Sequence, residues 1–368
     1  MNTPIPYPGH TADMAEQPHD EMRGYVGRGL LKGRRALITG GDSGIGRAVA
    51  VAFAKEGTDV SIAYLEEHDD ASHTATVVGA AGRTCALFPG DLGEPAHCRE
   101  VVARTLAELG GLDIVVNNAA FQAPTDDLTD ISDEQWRRTF AVNIDSYFQV
   151  TKAALAHLPD GAAIINTASV NGLRGNASLI DYSATKGAVI AFTYALAQSL
   201  AKRRIRVNCV APGPVWTPLI PATMPQEKVE SFGENAPFDR PAQPDEIAPS
   251  YAFFAADQLS SYYSSEVLAP LGGETDEQPL VVLVEALALR RPRDDDALVD
   301  RELIVAQHGV VAQVQQQLNF LVNVAVDLGV RRNRDVGFGK ADLQNDEERQ
   351  HEEQEQPQEW NPDDHMTA

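Results

Sequence analysis

Cysteine is scarce. The chain of 368 residues carries three, Cys85, Cys98 and Cys209, an odd number placed far apart with no pairing or zinc-ligand spacing. That excludes a disulfide scaffold and suits a reducing compartment. No apolar run reaches the length of about 20 residues that a membrane-spanning helix needs. The opening stretch, MNTPIPYPGHTADMAEQPHDE, has no basic start leading into an apolar segment, so no signal peptide is expected. Basic residues are in deficit, 30 Lys and Arg against 53 Asp and Glu, for a net charge of -23. Such a surface repels nucleic acid phosphates and anionic lipid, so neither nucleic acid nor membrane is an expected partner. The histidines lack metal-ligand spacing, and no metal is expected. Self-similarity at a solenoid period is also missing. These absences suit a globular, soluble, cytoplasmic protein.

With 43% hydrophobic residues, the chain is able to bury a large core. Residues 1–32 are rich in proline and polar side chains and are expected to form an extended arm without regular structure, anchored by Tyr7, Met22 and Tyr25. From Gly33 short apolar runs (RALITG, DVSIAY, TCALFPGD, LDIVVNNAA, AAIINTAS, IRVNCVAPG, EVLAPLGG) alternate with helix-length amphipathic stretches. This alternation predicts an α/β fold, a doubly wound parallel sheet of Rossmann-like type, over residues 33–275. In such a sheet ligands bind beyond the carboxyl ends of the strands. The residues to inspect are therefore Gly40 to Gly46, Asp91, Asn117 to Ala120, Ser169, and Pro212 with Gly213.

The stretch TGGDSGIG, residues 39–46, follows an apolar run and precedes RAVAVAFAKEG. A strand that turns at once into a helix leaves backbone N–H groups free, and a pyrophosphate fits against them where no Cβ intrudes. Gly40 suits the turn, Gly44 the close approach of phosphate and Gly46 tight packing of helix on strand, with Val49, Phe53 and Ala54 as the buried stripe. The spacing departs from G-x-G-x-x-G, and a plain glycine turn is the alternative reading of this stretch taken alone.

Further motifs share the chain: NNAA at 117–120, Asn143 in FAVNIDS, Ser169 in NTASV, YSATKGA at 182–188 and RVNCVAPGPVWTP at 206–218. With TGGDSGIG, in this order, they resemble the short-chain dehydrogenase/reductase family over about residues 33–275. The proline-containing arm ahead of ITGGDSGIGRAVA is similar to a bacterial subgroup labelled aldehyde reductase or sugar dehydrogenase. The resemblance implies an NAD(P)-dependent oxidoreductase working on an aldehyde, ketone or sugar and its alcohol.

Hydride transfer to a carbonyl needs a proton donor at the oxygen, and a phenol of ordinary pKa about 10 serves only when its anion is stabilised. Tyr182 and Lys186, four residues apart, fall on one helix face, so the ammonium is placed to lower the tyrosine pKa and to reach the nicotinamide ribose. Ser169 is expected to hydrogen-bond the substrate oxygen. By resemblance Asn143 holds a water that relays protons from Lys186. Resemblance also assigns cofactor contacts to Ser43 and Ile45 in the glycine loop, Asp91 at the adenine, Asn118 and Ala119 at the adenosine ribose, and Pro212, Gly213, Val215 and Thr217 at the nicotinamide. Ala120 stands where the family usually has glycine.

The choice between NAD and NADP stays open at this level. An NAD site usually has an acid at the end of the second strand, where this chain has Tyr64. An NADP site wants a nearby cation, and only Arg47 offers itself beside Glu66, Glu67, Asp69 and Asp70. Specificity for substrate is assigned to LRGNASLID and to a lid between Pro218 and Pro244.

Beyond EVLAPLGG the family pattern ends and the chain continues. Ser264 and Ser265 stand where Thr-Gly is usual, which questions the geometry of the last turn. Val311, Val314, Leu318, Leu321, Ala325 and Leu328 form one apolar stripe, predicting an amphipathic helix within residues 276–341 that docks on its own domain, a sister subunit or a partner. Residues 342–368 are acidic and Gln-rich and are expected to be a disordered tail. By resemblance the protein is a homotetramer, with the arm reaching toward a neighbour. A second reading is a catalytically silent nucleotide-binding or scaffold protein of this fold.

Overall fold

A computed structural model describes residues 3–274 of the chain. The expectations for the helix within 276–341 and for the acidic tail lie outside the described residues.

Seven strands form one parallel sheet in the order β3-β2-β1-β4-β5-β6-β7. They are β1 Arg35–Thr39, β2 Asp59–Tyr64, β3 Cys85–Pro89, β4 Ile114–Asn117, β5 Ala163–Thr167, β6 Arg206–Val210 and β7 Val267–Leu268. The predicted doubly wound sheet is thus observed, with its order reversing between β1 and β4, where a crevice opens at the strand ends. Alternation along the strands feeds two cores. In β1, Ala36 and Ile38 enter one apolar cluster while Leu37 enters the other.

The first cluster lies under α1 (Gly44–Lys55) and α2 (His68–Ala80), joined by α10 (Pro244–Ala255) through Tyr251 and Phe254. Val49, Phe53 and Ala54 are all buried there, as the stripe predicts. The second cluster lies under α3 (Pro95–Leu109), α5 (Ser146–Leu155) and α7 (Ile180–Leu200). Between α4 (Asp133–Phe140) and α5 the backbone opens into a π-helical segment, Ala141–Asp145. Such widened turns often sit at functional sites. Short helices α6 (Val170–Arg174) and α8 (Leu219–Thr223) border the crevice, and α9 (Gln226–Glu230) follows α8. The segment from Pro218 to Pro244, read as a lid, therefore folds around α8 and α9.

The N-terminal arm is more ordered than its composition suggests. It contains a 3-10 turn, Thr11–Asp13, and docks on its own domain. Met22 is buried in the first core, and Met14 packs with Trp216 and with Ile220 and Val229 of the lid. Tyr25 is partly buried against the core and hydrogen-bonds Glu56, whereas Tyr7 is half exposed and meets Phe121 edge-on. Within the chain, Asp20, Met14 and Met22 of the arm all meet complementary groups of the domain.

The last turn keeps its shape despite its serines. Ser265 adopts φ 73°, the left-handed region that favours glycine, at a cost of about 1 kcal/mol. Two bonds hold it: Ser265 N–H donates to the Val207 carbonyl at 2.8 Å, and Ser264 Oγ accepts from Val207 N–H at 3.2 Å.

Candidate active site

Between β1 and α1 the chain turns at Gly40 (φ 63°) and Gly44 (φ 54°). A Cβ on Gly46 would lie 1.7 Å from the Gly40 carbonyl oxygen, so only glycine lets the helix start this close to the loop. A Cβ on Gly44 would meet Thr217 at 3.0 Å, so the loop after β6 closes directly onto the glycine loop. Ser43 precedes α1 without capping it, and Gly44 N–H is taken by Asp20 Oδ2 at 3.0 Å. Among the described residues nothing accepts from the N–H groups of Ile45 and Gly46. Free donors at the positive end of a helix, beside a cradle without Cβ atoms, fit a pyrophosphate.

Around this loop the expected nucleotide residues take different parts. Asn118 clamps the glycine loop, its Nδ2 donating to the carbonyls of Thr39 and Gly40, both at 3.1 Å. Ala119 N–H donates to Thr39 Oγ1 at 3.1 Å. Tyr64, at the end of β2, is buried and its hydroxyl bonds His68 Nδ1 at 3.0 Å. Asp91 lines the cleft but is ion-paired with Arg138 of α4 at 2.6 Å.

Arg47, read as the nearby cation for a 2′-phosphate, is corrected. It is buried, pairs with Asp20 at 3.1 Å and Asp70 at 2.7 Å, and donates from Nε to the Asp42 carbonyl at 2.9 Å. Its donors are turned into the protein, toward an arm and a helix that a local reading does not bring together.

At the other end, β5 delivers Ser169 to the N-cap of α6, and α7 presents Tyr182 and Lys186 one turn apart. All three are buried. Lys186 Nζ donates to the Thr167 carbonyl at 2.8 Å and lies 5.5 Å from the centre of the Tyr182 ring. Burial pushes the Tyr182 phenol up to about 12, opposed by Ser169, which favours the ionised form. Burial also lowers the Lys186 ammonium to about 8. The expected lowering of the tyrosine by Lys186 is not seen: desolvation dominates, and Ser169 is the group that opposes it. A phenol held this way is a proton donor at neutral pH.

Asn143 lies in the π-helical segment and does not line the cleft. Its Oδ1 accepts from Phe121 N–H at 2.7 Å, and its Nδ2 donates to the Phe121 carbonyl at 2.8 Å and to Thr185 Oγ1 at 3.1 Å. Both amide donors serve the protein, tying the loop after β4 to the turn of α7 that carries Lys186. Pro212 and Gly213 follow β6; the Pro212 carbonyl accepts from Val170 N–H at 2.9 Å and Gly213 N–H donates to Pro270 at 3.1 Å. Val215 pairs with Ala242 in an isolated bridge.

One cleft of about 460 Å³ collects these residues. Its walls include Gly40, Ser43, Gly44, Ile45, Tyr64, Asp91, Asn118, Ala119, Ser169, Tyr182, Lys186, Pro212, Gly213, Val215 and Thr217. Gly46 and Asn143 support it from behind. Sequence reasoning named Glu67 only as a charge against a 2′-phosphate and missed Pro8, Asp42, Gln122, Arg138 and Glu274; all six line the cleft. Glu274 reaches Arg174 at 2.8 Å across the substrate end. The only local signal was the position of Asp42 inside the glycine loop.

The family model described as enoyl-(acyl carrier protein) reductase matches residues 40–275. The chain is 53% identical over 266 residues to general stress protein 39 of Bacillus subtilis, covering 72% of this chain and 93% of that one. It is 45% identical over 272 residues to NADPH-dependent aldehyde reductase 1, chloroplastic, of Arabidopsis thaliana, covering 72% and 94%. A solved short chain dehydrogenase from Burkholderia cenocepacia J2315 in complex with NADP superposes with a TM-score of 0.63 at 31% identity, over 66% of this chain and 98% of that one. The chain belongs to the short-chain dehydrogenase/reductase family. This short-chain dehydrogenase/reductase is an NAD(P)-dependent oxidoreductase acting on CH–OH groups, which sets aside the silent-scaffold reading.

Proposed function

We propose that Tyr182 is the acid–base group of a carbonyl reduction and alcohol oxidation carried out in this cleft. The observation that carries the proposal is the convergence of Ser169, Tyr182 and Lys186 in one cleft with the phosphate-sized cradle of the glycine loop. The bound nicotinamide cofactor supplies or accepts the hydride. Ser169 Oγ donates to the substrate oxygen and orients it. Tyr182 Oη delivers its proton to that oxygen during reduction, and as phenolate takes it back during oxidation. Lys186, with a charged ammonium below about pH 8, stabilises the phenolate and holds the nicotinamide ribose. Asn143 is a positioning residue that fixes the α7 turn beneath Tyr182 and Lys186. At the nucleotide end the Ile45 and Gly46 N–H groups receive the pyrophosphate; Asp91 faces the adenine and Ala119 the ribose. Pro212, Gly213, Val215 and Thr217 form the wall for the nicotinamide.

Two apolar patches support a homotetramer. Phe148 of α5 and Tyr194 of α7 are exposed, and so are Leu259, Tyr262, Tyr263 and Leu268 near β7, the last strand of the described sheet. A closed tetramer of two-fold symmetry needs two such patches, each packing against its own copy. A cytoplasmic location fits the three free cysteines. None of the described helices is long and apolar enough to cross a membrane.

Replacing Tyr182 by Phe tests the chemistry. Turnover in a panel of aldehydes, ketones and sugars is expected to fall about 10²- to 10⁴-fold, with reduced-cofactor binding, followed by fluorescence, held within about threefold. A variant that keeps more than a tenth of the turnover would remove Tyr182 from the mechanism.

A further inference from the structure

The end of β2 holds Tyr64 where an acid would read the adenosine ribose, yet the cleft beside it is not short of carboxylates. Asp42 arrives from the glycine loop and Glu67 from the residue that precedes α2, and both line the cleft together with Tyr64. Both are largely buried, at 6% and 7% exposure. Asp42 uses its main-chain carbonyl to hold Arg47 Nε at 2.9 Å and Thr74 Oγ1 at 2.8 Å, which leaves its side chain to the cleft. Its own amide and Ser43 hydrogen-bond that carboxyl. Glu67 has one oxygen on Glu66 N–H at 2.8 Å.

Cations that would welcome another anion are engaged elsewhere. Arg47 is buried between Asp20 and Asp70. Arg138 has one nitrogen on both oxygens of Asp91, at 2.8 and 2.6 Å. Arg104 sits over the Phe88 ring, 4.4 Å from its centre, and is not part of the cleft wall.

We infer that Asp42 and Glu67 together read the two hydroxyls of the adenosine ribose and exclude a 2′-phosphate, making this chain selective for NAD(H) over NADP(H). The inference rests on the dinucleotide reading of the cleft and deepens it. A carboxylate accepts from a ribose hydroxyl, whereas a phosphate brings up to two further negative charges against it. Asp42 already registers the crowding: burial and the neighbouring Glu67 and Asp70 push its carboxyl up to about 7. The selectivity comes from the glycine loop and the α2 N-terminus, which take over a task that the second strand leaves undone.

The test measures dissociation constants of NADH and NADPH for the full chain by fluorescence titration at fixed salt, with no substrate present. Wild-type protein is expected to bind NADH at least about thirtyfold more tightly, the scale of one unfavourable charge contact at a partly buried site. In the double variant Asp42→Asn, Glu67→Gln the ratio is expected to fall to about threefold or less, with NADPH binding more tightly and NADH more weakly. Glu67→Gln alone, whose fold is checked by thermal melting, moves the ratio the same way by a smaller factor and stands in should the double variant fail to fold. Wild-type protein that binds NADPH as tightly as NADH, or a Glu67→Gln ratio equal to wild type, overturns the inference. If neither cofactor binds, the dinucleotide reading of the cleft fails instead, so the two failures are distinct.

Discussion

Lys186 and Arg47 are both buried cations within four residues of a motif centre, and the protein holds them in opposite ways. Arg47 faces two carboxylates, Asp20 at 3.1 Å and Asp70 at 2.7 Å, and also bonds the Asp42 carbonyl and Thr74. Lys186 has one protein acceptor, the Thr167 carbonyl at 2.8 Å, and two aromatic rings at 5.5 Å. A fully answered charge joins pieces of the fold. An under-answered charge is held at a disadvantage, lowered to about 8, and has donors to offer a substrate or cofactor. The same residue class thus serves structure at one end of the cleft and chemistry at the other, and the number of carboxylates around it tells them apart.

The sharpest way to break this contrast is Lys186→Met. Turnover is expected to drop about 10²- to 10⁴-fold, while the melting temperature at pH 7 stays level or rises, since a desolvated charge without a counter-ion is removed. The pH dependence adds a sign. The folded-state pKa of about 8 lies below the ordinary 10.5, so between those values the unfolded chain binds more protons and wild-type stability rises with pH. The rise amounts to about 3 kcal/mol and is absent from the Met variant. Tyr182, raised from 10.0 to about 12, acts the other way above pH 10. A variant that loses several kcal/mol of stability at pH 7 would show Lys186 to be structural.

Arg47→Met is the mirror experiment. Two buried carboxylates are left without their cation, and the expected loss is about 3–5 kcal/mol, a fall in melting temperature on the order of 10 °C. The folded variant assayed well below that temperature should keep kcat within a few-fold. An unchanged melting temperature combined with a selective loss of NADPH binding would return Arg47 to the role of phosphate ligand.

Legibility in the sequence followed distance along the chain. The sheet and the Tyr182–Lys186 pair are written in local periodicity, the strands in alternation and the pair in a four-residue helical step. The glycine loop is likewise a property of eight consecutive residues. Arg47 misled because its partners, Asp20 and Asp70, lie 27 and 23 residues away on an arm and a second helix. Arg138 escaped notice because Asp91, its partner, is 47 residues away. Asn143 shows a third case: its position was legible, but the π-helical segment turns its amide toward Phe121 and Thr185, where a local pattern carries no information. The serine at 265 correctly marked an awkward turn, and the remedy, a hydroxyl from Ser264 on Val207 N–H, was contributed by its neighbour.

The smallest expected effect sharpens the comparison by loosening the arm at a neutral tie rather than a charged one. Trp216 Nε1 donates to the Glu16 carbonyl at 3.0 Å and its ring packs with Met14, so the arm is fastened to the stretch just ahead of the lid as well as to Arg47. Trp216→Phe keeps an aromatic ring in the cluster and removes the bond, at an expected loss of about 1 kcal/mol confined to the arm. Cleavage within residues 3–20 by a dilute protease should therefore quicken about fivefold, because cleavage of a briefly opened segment follows its opening equilibrium. The main melting transition should move little, since the two cores under the sheet do not depend on this bond. If the whole domain melts early instead, the arm is an integral part of the core and Arg47 and Trp216 hold the same structure; if only the arm is cut faster, the charged tie carries the fold and the neutral one merely keeps the arm docked.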